Sequence, residues 1–323
     1  MTEKKREKTP FLYLAPIRGL TDAAFREVFF QHFQGFDAAV APFINPQKAS
    51  RYQDRYLRDV LPEKNPGQGL VPQILNNRAA DFLCLAQRLA DLGYSHINWN
   101  LGCPAPMVAK KKRGSGLLPY PEAILALLDE ILPKLTLQLS LKTRLGYFEA
   151  SELQNLLPRL DDYPLKEIII HARLGKDLYR GQTKPHIFAQ CLELSRHRLV
   201  YNGDMNNLDI YTELNNSFVK VEGWMLGRGA LANPFLGEEI KGYRPQSGQQ
   251  RNARLRAFHS DLLKRYQGYL YGDSHILGRL KQLWRYLIAS FPGDQNHLKK
   301  LLKTRRLNNY QDIVGHIFEQ RQG

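Results

Sequence analysis

The chain has 323 residues, 46 Lys and Arg against 31 Asp and Glu, and a formal net charge of +15. That length suits one large domain with a smaller companion, and the absence of any run of about 18 apolar residues excludes a membrane-spanning helix. The three cysteines, Cys84, Cys103 and Cys191, form no CxxC pair, so neither a disulfide framework nor a zinc site is expected, and no metal is assigned.

From the N-terminus, residues 1–10 are mostly charged and lack the apolar core of a secretory signal. They are read as a disordered basic tail of a cytoplasmic protein. Short β-prone runs follow at Phe11–Ala15, Asp37–Ala41, Val71–Ile74, His96–Asn100, Leu137–Leu141, Glu167–His171, Arg198–Tyr201 and Gly223–Leu226, eight in all. Helix-like stretches lie between most of them. Asp81–Leu92 carries Phe82, Leu85, Ala86 and Leu89 on one stripe, and Pro121–Leu132 carries Ile124, Leu127, Leu128 and Ile131. Strands alternating with helices imply a parallel sheet with crossover helices. Eight units predict an α/β fold, a (β/α)8 TIM barrel over residues 11–242. A doubly wound open sheet is the competing arrangement, and no GxGxxG follows an early strand to support its dinucleotide-binding version.

The pattern changes at Tyr243–Gln250, a polar segment with Pro and Gly that reads as a linker. Beyond it Leu255, Phe258, Leu262 and Leu263 mark one helix and Ile276–Ala289 a second, so residues 243–323 are expected to form a small all-helical C-terminal domain. This part holds 15 Lys and Arg and 5 Asp and Glu, which concentrates the positive charge in the tail. A chain this basic attracts polyanions, and charge alone does not separate RNA from DNA or an anionic membrane surface. The asymmetry suggests that the helical part grips a phosphate backbone while the barrel does chemistry. Tyr266, Tyr269, Tyr271, Trp284 and Tyr286 sit among these charges and are read mostly as bundle core.

Barrel active sites lie at the C-terminal ends of the strands. There the chain reads APIRGLTD (Ala15–Asp22), PQI with Gln73, NLGCP (Asn100–Pro104), KTRLG with Lys142 and Arg144, HAR with His171 and Arg173, NGD (Asn202–Asp204) and GRGAL (Gly227–Leu231). The last two follow strands seven and eight, where barrels often bind phosphate on backbone N–H groups. Glycine allows the close approach and Arg228 adds charge-assisted bonds.

This set of motifs resembles the tRNA-dihydrouridine synthase family over roughly residues 11–240. The long run NLGCPAPMVAKKKRGSGLL (Asn100–Leu118) is its most specific part. The resemblance implies FMN, NADPH as reductant, and reduction of the uracil C5–C6 bond in RNA, with tRNA as partner. On matching residues it implies that Ala15, Pro16 and Gly19 line the flavin and that Gln73 bonds its ring. Lys142 would sit at the flavin N1 and O2 edge, and His171 would contact flavin or uracil. Asn202, Gly203, Asp204, Gly227 and Arg228 would hold the phosphate region, Asn100 would place the uracil and Cys103 would protonate it. The chain departs from the family at Ile17, where Met is usual, at APFINP (Ala41–Pro46), where Thr-Glu is frequent, and at His-Ala-Arg-Leu, where His-Gly-Arg-Thr is usual.

The residue types suit the reaction. A lysine ammonium stabilises the anionic edge of a reduced flavin in a water-poor site. A cysteine with an ordinary pKa of about 8.5 is mostly thiol at neutral pH and acts as a general acid. Gly114–Gly116 is read as a hinge for a lid carrying Cys103. Arg173 is read as binding phosphate or a base edge. Lys110, Lys111, Lys112 and Arg113, beside the catalytic loop, are read as phosphate contacts that offset extrusion of the target base. Two rival readings are another FMN barrel acting on a free pyrimidine, like dihydroorotate dehydrogenase, and an RNA-binding barrel without catalysis. The sequence does not say which uridine is reduced, or whether the RNA is tRNA or ribosomal; a monomer is expected.

Overall fold

The computed structural model describes residues 9–44, 47–48, 53–67 and 69–319. Most of the basic tail, and Asn45 and Pro46 of the APFINP segment, lie outside the described residues. The strands are β1 (Phe11–Leu14), β2 (Ala38–Val40), β3 (Leu70–Val71), β4 (Gln73–Ile74), β5 (His96–Leu101), β6 (Gln138–Gly146), β7 (Leu165–Leu174), β8 (Leu199–Asn202) and β9 (Gly223–Leu226). They are ordered β3-β2-β1-β9-β8-β7-β6-β5-β4, all pairs parallel. The two ends of this order, β3 and β4, are consecutive in the chain and meet at Pro72, so the sheet curls into a nearly closed barrel. The third run was expected as one strand. It is split because Pro72 has no N–H to give the ladder, although its carbonyl still accepts from Asn98 N at 2.9 Å.

Helices cover the barrel: α1 (Ala23–His32), α2 (Ala79–Asp91), α3 (Pro106–Ala109), α4 (Pro121–Ile131), α5 (Ser151–Leu160), α6 (Pro185–Leu194), α7 (Leu208–Ser217), α8 (Arg228–Ala232) and α9 (Leu236–Ile240). The stripes read from the sequence are the buried ones: Phe82, Leu85, Ala86 and Leu89 on α2, and Ile124, Leu127, Leu128 and Ile131 on α4. Both strand faces are covered, which is why the strands read as near-continuous apolar runs. Inside the barrel Tyr13, Ala15, Ala38, Val40, Val71, Ile169, Val200 and Met225 form a separate buried cluster. Near it lies Glu167, fully buried, whose carboxylate accepts from Tyr13 Oη at 2.6 Å and Arg198 Nη1 at 2.6 Å.

After α9 the chain runs without regular structure to Ser247, then forms α10 (Gly248–Gln267), α11 (Asp273–Leu287), α12 (Gln295–Lys303) and α13 (Leu307–Glu319). The linker is shorter than expected. Ser247 accepts from Gln250 N, and the Gln250 side chain accepts from Ser247 N, a reciprocal capping box that starts the helix inside the presumed linker. The second helix also starts earlier, at Asp273 rather than Ile276. As expected, Tyr266 and Trp284 are core; Tyr269 and Tyr271 are exposed.

The helical part docks on α1. Phe258 of α10 is fully buried, with ring centroids 5.9, 6.2 and 5.1 Å from Phe25, Phe29 and Phe33. Four cations of the tail pair with barrel carboxylates: Arg251 with Glu239 and Arg265 with Glu27, both at 2.7 Å, Arg254 with Glu238, and Arg279 with Asp22 at 3.8 Å. Part of the tail's charge therefore staples the two regions together, a use that a charge count does not reveal. No helix among the described residues is long and apolar enough to cross a membrane.

Candidate active site at the barrel mouth

β6 and β7 run past their expected ends at Leu141 and His171, to Gly146 and Leu174. Lys142 and Arg144, and likewise His171 and Arg173, therefore belong to strands, and a two-residue period points each pair to one face. The register sets Lys142 beside Asn100, Arg144 beside His171, and His171 beside Asn202. Four strands, β5 to β8, thus deliver these five side chains to one mouth.

Lys142 Nζ donates to Asn202 Oδ1 at 2.9 Å, and Asn202 Nδ2 donates to Met225 O at 2.8 Å. Burial first, and the Arg144 guanidinium second, push the Lys142 pKa down to about 7. His171 is held well below its ordinary value by burial and then by Arg144, Lys142, Arg173 and Arg228, so its imidazole is neutral. Arg173 Nη1 lies 3.1 Å from His171 Nε2, so that nitrogen accepts and the ring proton sits on Nδ1.

Arg173 itself is turned inward, 2% exposed. Its Nη atoms donate to both oxygens of Asp204, and it also donates to Gly181 O. It thereby fixes the chain after β7 and the NGD turn, and its donors are occupied within the protein. Asp204 also accepts from Arg228 Nη2 at 2.5 Å, so one carboxylate holds both cations. Gly203 leaves room for the Tyr201 ring, whose Oη would lie 2.4 Å from an added Cβ. An added Cβ at Gly227 would meet Ala15 Cβ at 3.4 Å, which places the GRG turn against the Ala15–Pro16 end of β1. Gly19 has φ +85, and an added Cβ would face Gln282 and Arg279 of α11 at 3.1 and 3.5 Å. The loop after β1 therefore lies between the mouth and the helical region.

Cys103 is half-buried. Its N–H donates to Asn100 Oδ1 at 2.8 Å, as does Gly102 N at 3.0 Å, and its carbonyl accepts from Ser115 N and Oγ at 3.1 Å each. Burial raises the pKa of the thiol, which keeps it protonated at neutral pH. Gly114–Leu117 is a buried 3-10 turn, not the hinge read from the sequence. An added Cβ would lie 2.5 Å from Cys103 O at Gly114 and 2.4 Å from Ala109 O at Gly116, so these glycines allow close packing and leave no slack. Asn100 meets the loop backbone with its oxygen and Gln73 Oε1 with its nitrogen, at 2.7 Å.

Lys110 and Lys111 are exposed beside this loop, whereas Arg113 Nε donates to Asn77 Oδ1 at 3.0 Å. Lys112 Nζ sits over the Tyr120 ring, 4.1 Å from its centroid. One residue at the mouth escaped the sequence reading. Tyr179, 60% exposed, lies 5.2 Å from the Arg144 guanidinium and 5.9 Å from that of Arg228, its ring centroid 6.4 Å from that of His171. It follows Leu178, which has φ +55 and whose carbonyl accepts from Arg144 Nη1 at 2.5 Å. Its place depends on that loop bond, for which a strand pattern gives no signal.

Known proteins share this architecture. A probable tRNA-dihydrouridine synthase of Staphylococcus epidermidis is 26% identical over 97% of this chain and 94% of its own. Probable tRNA-dihydrouridine synthase 2 of Bacillus subtilis is 28% identical over 71% of this chain and 72% of its own. Among solved structures, morphinone reductase in complex with tetrahydroNAD superposes with a TM-score of 0.51 at 10% identity, over 73% of this chain and 88% of its own, a likeness of fold. The profile of the dihydrouridine synthase (Dus) family matches residues 13–304, and the chain belongs to that family.

Proposed function

We propose that the protein is a tRNA-dihydrouridine synthase that binds FMN at the barrel mouth and reduces the C5–C6 double bond of a uridine. One observation carries this reading: a buried lysine with its pKa drawn down to about 7 shares the mouth with a cysteine kept as a thiol. The residues present fit FMN. Lys142 is a deep cation without a carboxylate among its bonded partners, suited to the negative N1 and O2 edge of a reduced isoalloxazine. Arg228 is a shallower cation at the GRG turn, suited to the phosphate. Ala15, Val40 and Met225 supply an apolar wall. When bound, FMN reduced by NADPH would supply the hydride for this reduction.

The chain's own groups supply the rest. Cys103 gives its Sγ proton to C5, and the resulting thiolate is reprotonated from solvent at the open mouth. Asn100 holds the loop that carries the thiol. Neutral His171 and the Arg144 guanidinium offer hydrogen bonds to uracil carbonyls, and Tyr179 offers a stacking face beside them. Lys110 and Lys111, exposed next to the catalytic loop, neutralise RNA phosphates and offset extrusion of the base. The helical region contributes further exposed cations, among them Lys299, Lys300, Lys303, Arg305 and Arg306.

The test is the visible spectrum of the purified full-length protein, followed anaerobically after NADPH addition. Flavin bands that bleach with NADPH and return only on adding tRNA lacking dihydrouridine support the reading. Return with free uridine instead would favour a pyrimidine reductase, and protein that takes up no FMN sinks the proposal. Deleting the helical region is a poor test of RNA binding, because it would bare Phe25, Phe29 and Phe33.

A further inference from the structure

The barrel interior contains a column of polar side chains that begins near the exposed Lys166 and ends under Cys103. Lys166 Nζ lies 3.4 Å from His96 Nδ1, and His96 Nε2 lies 2.8 Å from Ser140 Oγ. Asn98 Nδ2 donates to Ser140 Oγ at 2.9 Å, Gln73 Nε2 to Asn98 Oδ1 at 2.8 Å, and Asn100 Nδ2 to Gln73 Oε1 at 2.7 Å. Asn100 Oδ1 then accepts from the N–H groups of Gly102 and Cys103. Ser140, Asn98 and Gln73 are fully buried, and His96 and Asn100 are less than a tenth exposed.

The column has a direction, and chemistry fixes it. An ammonium only donates, so His96 Nδ1 accepts from Lys166 and the ring proton of the neutral imidazole sits on Nε2. Burial, then Lys166, draws the His96 pKa down to about 4, so the ring is neutral. Nε2–H therefore donates to Ser140 Oγ, whose own proton goes to Ile97 O at 3.3 Å. Ser140 is left with only acceptor capacity toward Asn98. That turns the Asn98 nitrogen toward Ser140 and its oxygen toward Gln73, and the same choice passes through Gln73 to Asn100. A reversed Asn100 would aim its NH2 at two N–H donors, which repel it.

We propose that Asn98, seated on Ser140 and His96, is a positioning residue for Cys103: three aligned carboxamides set the backbone of the cysteine loop from inside the barrel. The proposal rests on Cys103 as proton donor. The thiol needs a fixed height over the base, and its loop is held by Asn100 on the inner side and Ser115 on the other.

The test uses flavin-free, full-length Asn98→Leu and Asn98→Asp. Leucine keeps the volume and removes both bonds. Aspartate keeps an oxygen for Gln73, and Ser140 turns its hydroxyl to donate to the other. Two readouts are amide hydrogen exchange at Gly102 and Cys103, and the rate of Cys103 alkylation by iodoacetamide. Asn98→Leu is expected to speed both by about tenfold, the equivalent of one lost buried hydrogen bond, with β1 and β8 amides unchanged. Asn98→Asp is expected to stay within about threefold of the parent. With FMN and RNA supplied, Asn98→Leu lowers kcat and leaves the KM for RNA unchanged. Parental exchange in Asn98→Leu, or equal loss in Asn98→Asp, overturns the proposal. If Asn98→Leu unfolds throughout, Ser140→Ala decides: faster exchange confined to the Cys103 loop supports the column, and parental exchange there overturns it. A loosened loop in a protein that never binds flavin leaves the column standing and sinks the functional reading instead.

Discussion

The two sides of the barrel interior are built from the same pleated strands and differ in what they demand. From β8 through β9, β1 and β2 to β3 the inward positions include Val200, Met225, Tyr13, Ala15, Ala38, Val40 and Val71, mostly apolar and buried, with Asn202 the polar one at the mouth. From β4 to β6 they are Gln73, His96, Asn98, Asn100 and Ser140, joined by directed hydrogen bonds, and Lys142, which donates across to Asn202 of β8. The apolar arc requires volume, and alternative side chains of similar size can supply that. The polar arc requires particular atoms in particular orientations, because each group left unpaired there bears its full desolvation cost. The proposed proton donor and the proposed flavin-edge cation both stand on the polar arc.

That contrast is open to attack in four places. The largest effect is expected of Cys103→Ala, which should lower uridine reduction on the order of 10²–10⁴-fold while FMN stays bound. Single-turnover reoxidation of the reduced protein by tRNA reads it, and full activity would remove the proton donor from the polar arc. Gln73→Leu comes next. It orphans Asn98 Oδ1 and Asn100 Nδ2, and urea unfolding should record a loss of about 1–3 kcal/mol for each.

Lys142 gives a pH signature. Its pKa in the fold is about 7 against 10.5 when free, so between these values the unfolded chain binds more protons and the stability of the flavin-free protein rises with pH. Lys142→Met should flatten that rise in urea titrations between pH 7 and 10; an unchanged slope would mean the ammonium is not desolvated. The smallest effect is expected of Met225→Leu on the apolar arc, less than about 1.5 kcal/mol with reduction kept. Should it cost as much as Gln73→Leu, the two arcs do not differ in kind.

The sequence exposed the barrel because its strands are short, apolar and separated by striped helices. It exposed Cys103, Lys142 and His171 because they close recognisable motifs at strand ends. It hid the polar column for a different reason. HINWNL alternates strictly, His96, Asn98 and Asn100 against Ile97, Trp99 and Leu101, and the column lies on the polar phase. Alternation ordinarily means polar residues face water, so only the closed sheet reveals that this phase points inward. The signal was present in the spacing, and the tertiary context reversed its meaning. The Ser247–Gln250 spacing also carries a capping signal, which the linker reading of that segment passes over, whereas the partners of Arg251, Arg254, Arg265 and Arg279 leave no signal, since charge counts carry no geometry.

Asp22 illustrates how tightly the two regions are bound. It accepts from Phe25 N at the start of α1, and the hydroxyls of Tyr266 and Tyr269 both reach it at 3.3 Å from the far side of the boundary. Burial raises its pKa, and the Phe25 N–H and the Arg279 guanidinium act against that shift. The segment that begins beside the GRG turn at the barrel mouth is thus also the socket of the other half of the protein. For protein engineering, the consequence is that the helical half cannot be traded between relatives as a detachable cassette. A chimera that inherits Tyr266, Tyr269 and Arg279 must inherit the Gly19–Asp22 turn with them, or it will alter the mouth it was meant to leave alone.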